Sequence, residues 1–267
     1  MVTDWDDAYA NGKYFAGAQD CISSWGEKAP AYRAELAASG CLKADISYGL
    51  GNRQKFDLFM PLIRPLGLAV FVHGGYWHSF CKDDWSHLAR GAVDRGWAMA
   101  IVGYDLCPNV RIRQISQQVE SGIRAASAVV DGPIRLAGHS AGGHLVTRLV
   151  CSDIPAMPRV QKALSISGIH DLRPLLHTSM NSVLRIDMTE AQQESPALRT
   201  PHSGIAVTTW VGANERPEFI RQSKLLANVW TGCDIETKCV EETGTNHFTL
   251  IDGLEDAQSA LMSEFLD

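Results

Sequence analysis

The stretch Ile134-Arg-Leu-Ala-Gly-His-Ser-Ala-Gly-Gly-His-Leu-Val-Thr-Arg-Leu-Val150 decides how the rest of the chain is read. Its first four residues read as a strand, and Ala141 to Val150 reads as a helix. Between them lies Gly138-His139-Ser140-Ala141-Gly142, a G-x-S-x-G signal in a strand-turn-helix context. So sharp a turn holds the serine in a strained backbone conformation, and side chains two residues before and after it would collide. Glycine at 138 and 142 removes both. The Ser140 hydroxyl then projects from the carboxyl edge of a sheet, above a helix N-terminus that favours developing negative charge. Gly143 suits close packing of that helix. A glycine-rich turn with an incidental serine is the plain alternative, and the flanking strand and helix argue against it.

Outward from this turn, strands and helices alternate. Leu68–Val72 (LAVFV) and Trp97–Val102 are continuous apolar runs, as expected of strands covered on both faces. Ala163–Ile166, Ile205–Val211 and Ile235–Val240 add three more. Phe56–Met60 alternates and pairs with Ile46–Leu50 as an antiparallel opening. Helices are predicted over Asp83–Arg95, over 218–230 and at the end of the chain from 253 to 266. A further helix carries Ile112, Ile115, Val119, Ile123, Ala126 and Val130 at three- and four-residue steps. The alternation predicts a single α/β domain over residues 1–267, with a mostly parallel, doubly wound sheet. Residues 172–201, polar and holding three prolines, break the rhythm and are expected to form a small cap over the site.

Composition bounds the function. The 267 residues carry a net charge of -6, with 45% apolar and 20% charged residues, the balance expected of a soluble globular protein. No basic run or stripe suggests nucleic acid as a partner. No apolar run approaches the ~20 residues of a membrane span. The N-terminus MVTDWDDAYANGKYF lacks the basic and apolar regions of a secretory signal. Seven cysteines at scattered positions, without a C-x-x-C pair, fit free thiols in a reducing, cytoplasmic compartment. No metal site or cofactor is expected: His139 and His144 are five apart, on different sides of a helix, with no carboxylate at ligand spacing. Oligomeric state is left open, a homodimer included.

Serine needs a base, an acid and an oxyanion site. His73-Gly-Gly-Tyr-Trp77 follows the strand LAVFV directly, and its glycines let backbone approach a substrate. The N–H groups of Gly75 and Tyr76, with that of Ala141, are the expected oxyanion donors, while His73 serves as a buried hydrogen-bonder. Sheets with this elbow use the chain order serine, acid, histidine. Of the late histidines, His202 precedes a strand and enters from the wrong edge. His247 follows the last strand, where a loop can hang it over Ser140. Glu215 sits in the turn after the strand that ends in TTWVG and is the candidate acid, although Asp is more usual there and neighbouring carboxylates compete. Glu218 begins the next helix, where its charge suits the dipole. Trp77, Phe80 and Trp85 line an acyl or aryl pocket, or form ordinary core.

Together HGGYW at 73–77, GHSAGGH at 138–144, VGANERPEF-x-x-QS at 211–223 and NHF-x-L-I-D at 246–252 resemble the kynurenine formamidase (arylformamidase) branch of the α/β hydrolases. The N-terminal YANGKYFAGAQDCISSW is similar to that branch's lead-in. The resemblance spans nearly the whole chain. It implies the α/β-hydrolase fold and hydrolysis of N-formylkynurenine, a small acyl substrate, to kynurenine and formate in tryptophan breakdown. The residues by themselves also suit a small-molecule carboxylesterase. A hydrolase-fold binding protein without catalysis is expected to lack the nucleophile, the base or the oxyanion loop, and this chain has all three.

Overall fold

The structure, a computed structural model, describes residues 2–267. Its strands are β1 (Leu42–Ser47), β2 (Lys55–Phe59), β3 (Leu68–Val72), β4 (Ala98–Val102), β5 (Ile134–His139), β6 (Val160–Ile166), β7 (Ala206–Gly212) and β8 (Thr237–Glu242). They form one sheet in the order β1-β2-β4-β3-β5-β6-β7-β8. β2 runs antiparallel to both its neighbours, and every other pairing is parallel. The opening antiparallel pair is present, with Ile46 opposite Phe56, but its first strand is Leu42–Ser47 rather than 46–50.

The α-helices are α1 (Trp5–Ala8), α2 (Ala18–Ala38), α3 (Arg90–Asp94), α4 (Ile112–Ser127), α5 (Ala141–Leu149), α6 (Asn181–Leu184), α7 (Met188–Gln193), α8 (Pro217–Trp230) and α9 (Ala260–Leu266). Successive residues of the central strands point to opposite faces of the sheet, which divides them between two cores. Leu68, Val70 and Val72 pack with Ile115 and Val119 of α4 and Leu145 of α5. Ala69 and Phe71 pack with Trp25 and Leu36 of α2 and Phe265 of α9. The chain is therefore a mostly parallel, doubly wound α/β sheet.

Two expected helices change, and a third helix was not expected. The helix predicted over Asp83–Arg95 is a 3-10 segment, Lys82–Ala89, followed by the short α3. The C-terminal helix is split in the same way, into a 3-10 turn at Leu250–Leu254 and α9. α2 was not foreseen. It buries Trp25, Ala29, Tyr32 and Leu36 at steps of four, three and four, although Pro30 lies inside it. Arg33 ties α2 to the sheet through Asp57, a fully buried carboxylate that also accepts from Lys82 Nζ at 2.8 Å.

Residues 172–201 form a run of short helices, but no residue of this run lines the cavity that contains Ser140. The expected cap over the site is thus displaced. Its polar residues explain where it went. Glu190 accepts from Arg111 Nε at 2.7 Å, Glu194 accepts from Ser116 at 2.9 Å, and the Glu194 carbonyl contacts His144 Nε2 at 2.7 Å. These bonds hold the insertion on α4 and α5.

Candidate active site

The sheet order sets the site. Loops leaving the carboxyl ends of β3, β5, β6, β7 and β8 meet along one edge, which brings residues from 73 to 248 into one small volume.

Ser140 is the pivot between β5 and α5, at φ 55° and ψ -116°. A non-glycine residue with positive φ is uncommon, and strain of this kind gathers at functional sites. The glycines around it have the predicted cause. A Cβ on Gly138 would lie 2.1 Å from the Gly142 carbonyl oxygen, and one on Gly142 would lie 1.9 Å from that of Val72. Neither gap admits an atom, so the turn closes only with hydrogen at both positions. Ala141 is the first residue of α5, so its N–H has no acceptor within its own helix.

The loop after β3 follows the same logic. Gly75 has φ 102°, Tyr76 47° and Trp77 58°. Three successive left-handed residues fold the backbone back on itself. Among the described residues, the N–H groups of Gly75 and Tyr76 donate to no protein acceptor. His73 is fully buried, stacks on Tyr104 at 4.2 Å, and contacts the Gly74 carbonyl through Nδ1 at 2.8 Å. Burial pushes its imidazole down to about 4, so it is neutral.

His247 Nδ1 lies 2.8 Å from Glu215 Oε2. The other oxygen of Glu215 accepts the Gly212 N–H at 2.9 Å and the hydroxyl of Ser167. Ser167 directly follows β6, between the loops that carry Ser140 and Glu215. Glu218 is engaged elsewhere, with the Tyr9 hydroxyl at 2.9 Å and Arg221 at 2.7 Å. The His247 ring packs against Phe219 at 4.7 Å, and its carbonyl contacts His139 Nε2 at 3.0 Å. Burial, with the neighbouring His247 second, holds His139 well below the usual histidine range.

Ser140 and His247 share a cavity of about 260 Å³. Its walls are largely aromatic: Trp25, Phe80, Trp85 and Phe248, with Ile22 beside them. Phe80 and Trp85 therefore lie where a pocket reading puts them. Trp77 does not. It is fully buried beneath the loop, edge-on to His144 at 5.1 Å, because the two left-handed residues 76 and 77 turn its side chain into the core. A larger polar cavity, about 380 Å³, lies beside Arg113, Arg148 and Glu194 and contains neither Ser140 nor His247.

The N-terminal segment was missed as part of the site. Tyr9, Ala10, Asn11 and Gly12 line the cavity from above. Tyr9 anchors them: its carbonyl accepts from the Tyr76 hydroxyl at 2.6 Å, and its ring packs edge-on against Phe219 at 5.8 Å. Gln222 Nε2 donates to the Tyr9 hydroxyl at 3.1 Å.

This arrangement has known relatives. A kynurenine formamidase from Salmo salar is 30% identical over 227 residues, covering 79% of this chain and 76% of that protein. The chain belongs to the kynurenine formamidase family. A kynurenine formamidase from Danio rerio is 29% identical over 236 residues, 83% of this chain and 80% of that one. Among solved structures, a candidate thioesterase from Silicibacter sp. tm1040 superposes with a TM-score of 0.94 at 43% identity, over 100% of both chains. Esterase B from Lactobacillus rhamnosis shares the fold, with a TM-score of 0.69 at 14% identity over 94% of this chain and 93% of that one. No family model matches the chain. The kynurenine formamidase family and the shared fold make this protein an α/β hydrolase. Among the described residues no helix is long and apolar enough to cross a membrane.

Proposed function

We propose that Ser140, His247 and Glu215 are the triad of an arylformamidase that cleaves N-formylkynurenine to kynurenine and formate. The observation that carries this reading is the 2.8 Å contact between His247 Nδ1 and Glu215 Oε2, on the wall of the cavity that contains Ser140. A carboxylate on Nδ1 keeps the ring proton there and leaves Nε2 free as a base.

The chemistry then runs in two halves. His247 takes the Ser140 proton as Oγ attacks the formyl carbon, and the carbonyl oxygen becomes an oxyanion. The N–H groups of Gly75, Tyr76 and Ala141 receive it, each donor worth roughly 3–4 kcal/mol in the transition state. His247 gives its proton to the anilide nitrogen, kynurenine leaves, and a formyl ester remains on Ser140. Water, deprotonated by His247, attacks that ester; His247 passes the proton to Ser140 Oγ as its bond to the formyl carbon breaks, and formic acid leaves and ionises to formate. The formyl group is the smallest acyl group, and the aromatic walls suit an aryl leaving group. Seven free cysteines support a cytoplasmic setting.

A thioester or ester substrate is the second reading, favoured by the whole-chain similarity to the Silicibacter protein. The test compares kcat/KM for N-formylkynurenine, p-nitrophenyl acetate and an acetyl thioester on one preparation. A preference for the formamide by orders of magnitude is expected. A protein that turns over the ester or thioester and barely touches the formamide overturns the assignment of substrate.

A further inference from the structure

Asn11 lines the cavity that contains Ser140, as the first residue of a 3-10 turn over Asn11–Tyr14. The residue is more than nine-tenths buried, and its buried Nδ2 has no hydrogen-bond partner among the described residues. Buried amides are nearly always paired, so an orphan calls for an explanation. Poor packing does not supply one, because the segment is firmly held. Asn11 N–H donates to the Tyr9 carbonyl at 3.0 Å, and Tyr9 is fixed by Tyr76, Gln222 and Glu218. With no partner on the amide, its two orientations are equivalent by bonding, and a half-turn about its terminal torsion presents N–H₂ to the cavity.

The surroundings narrow what it meets. Apart from Ser140, His139 and His247 the walls are mainly aromatic and apolar, and among the described residues no Lys or Arg lines this cavity. A carboxylate meeting Asn11 would find no counter-charge among the lining residues, which is costly, so the charged amino-acid end of the substrate is not what Asn11 receives. A neutral carbonyl oxygen suits a neutral amide donor. We infer that Asn11 is a specificity-determining residue, whose amide donates to a ketone oxygen on the aryl leaving group, next to the scissile acyl bond. This rests on the proposed acyl-aryl substrate class, and it assigns the N-terminal segment a part in choosing the substrate. A site built around such a donor discriminates strongly against analogues lacking the acceptor.

The test uses two substrate pairs with the full-length protein and its Asn11→Leu and Asn11→Ser variants. The first pair is 2-formamidoacetophenone and formanilide. The second is 2-acetylphenyl acetate and phenyl acetate. Within each pair only the ketone differs. The wild type is expected to prefer the ketone-bearing member. Asn11→Leu should lower the ratio of kcat/KM values, ketone-bearing over ketone-free, by about tenfold, the worth of one hydrogen bond to a neutral partner. Asn11→Ser, which keeps a shorter donor, should lie between and covers the case in which leucine disturbs the segment. An unchanged ratio in whichever pair the wild type cleaves overturns the inference. If only the esters are cleaved, the formamidase reading falls while the ester pair still decides the role of Asn11.

Discussion

Replacing Glu215 with glutamine tests the triad by geometry alone, because the change keeps the side chain's shape. Glu215 receives three donors: His247 Nδ1 on one oxygen, and the Gly212 N–H and Ser167 hydroxyl on the other. Glutamine has a single carbonyl oxygen. The Gly212 N–H cannot turn away, whereas the Ser167 hydroxyl can rotate, so the amide oxygen goes to Gly212 and the NH₂ faces His247. Nδ1 must then accept, which moves the ring proton to Nε2. That tautomer cannot take the proton of Ser140. The expected loss in kcat is about 10⁴-fold, or roughly 5 kcal/mol of transition-state stabilisation. Steady-state kinetics on N-formylkynurenine or p-nitrophenyl acetate measure it, with circular dichroism to verify the fold. A Glu215→Gln protein that keeps a tenth of wild-type kcat refutes the reasoning. So does a Glu218→Gln protein that suffers the 10⁴-fold loss instead.

Three further outcomes follow from the structure. Ser140→Ala should abolish turnover of every substrate. It should also leave the unfolding free energy from urea titration within about 1 kcal/mol of wild type, since the strain lies in φ and alanine shares it. Trp77→Ala should cost about 3–5 kcal/mol of stability as a core deletion, and Phe80→Ala far less while raising KM; equal midpoints for the two would contradict their placement. Burial pushes His73 and His170 down to about 4 and His144 to about 3, whereas an unfolded histidine titrates near 6.5. Below about pH 6.5 the unfolded chain therefore binds protons that the folded chain refuses. Their stability contribution is full above that pH and is lost as pH falls toward 3–4. Urea titrations between pH 7 and 4.5 should show falling midpoints, and a flat profile would mean these rings are charged in the fold.

The strands were legible because each central one is a short apolar run buried on both faces, as LAVFV at 68–72 shows. The elbow was legible because sterics dictate its glycines. Other features depended on distant partners. α2 carries its core contacts at Trp25, Ala29, Tyr32 and Leu36, but Gly26 and Pro30 interrupt the pattern, and only docking on the sheet completes it. The insertion at 172–201 announced itself by composition. Its destination did not, being set by Glu190 and Glu194 reaching Arg111 and Ser116 some 80 residues earlier. Glu215 could be placed in the turn after β7 from chain order, whereas Ser167 could not be singled out. Nothing local marks it, and only the adjacency of β6 and β7 brings its hydroxyl to the carboxylate. Trp77 could not be decided between pocket and core, because an aromatic beside a glycine loop looks the same in either place.

The Tyr9–Glu218 hydrogen bond spans 209 residues, and the cavity is bounded by Asn11 at one end of the chain and Phe248 at the other. The Ser140 elbow is held by neighbouring strands, whereas the pocket around it is closed by segments far apart in the sequence. Loss of the Tyr9 anchor is therefore expected to reduce turnover before the sheet unfolds, which makes activity a more sensitive gauge than circular dichroism of whether the two segments are joined.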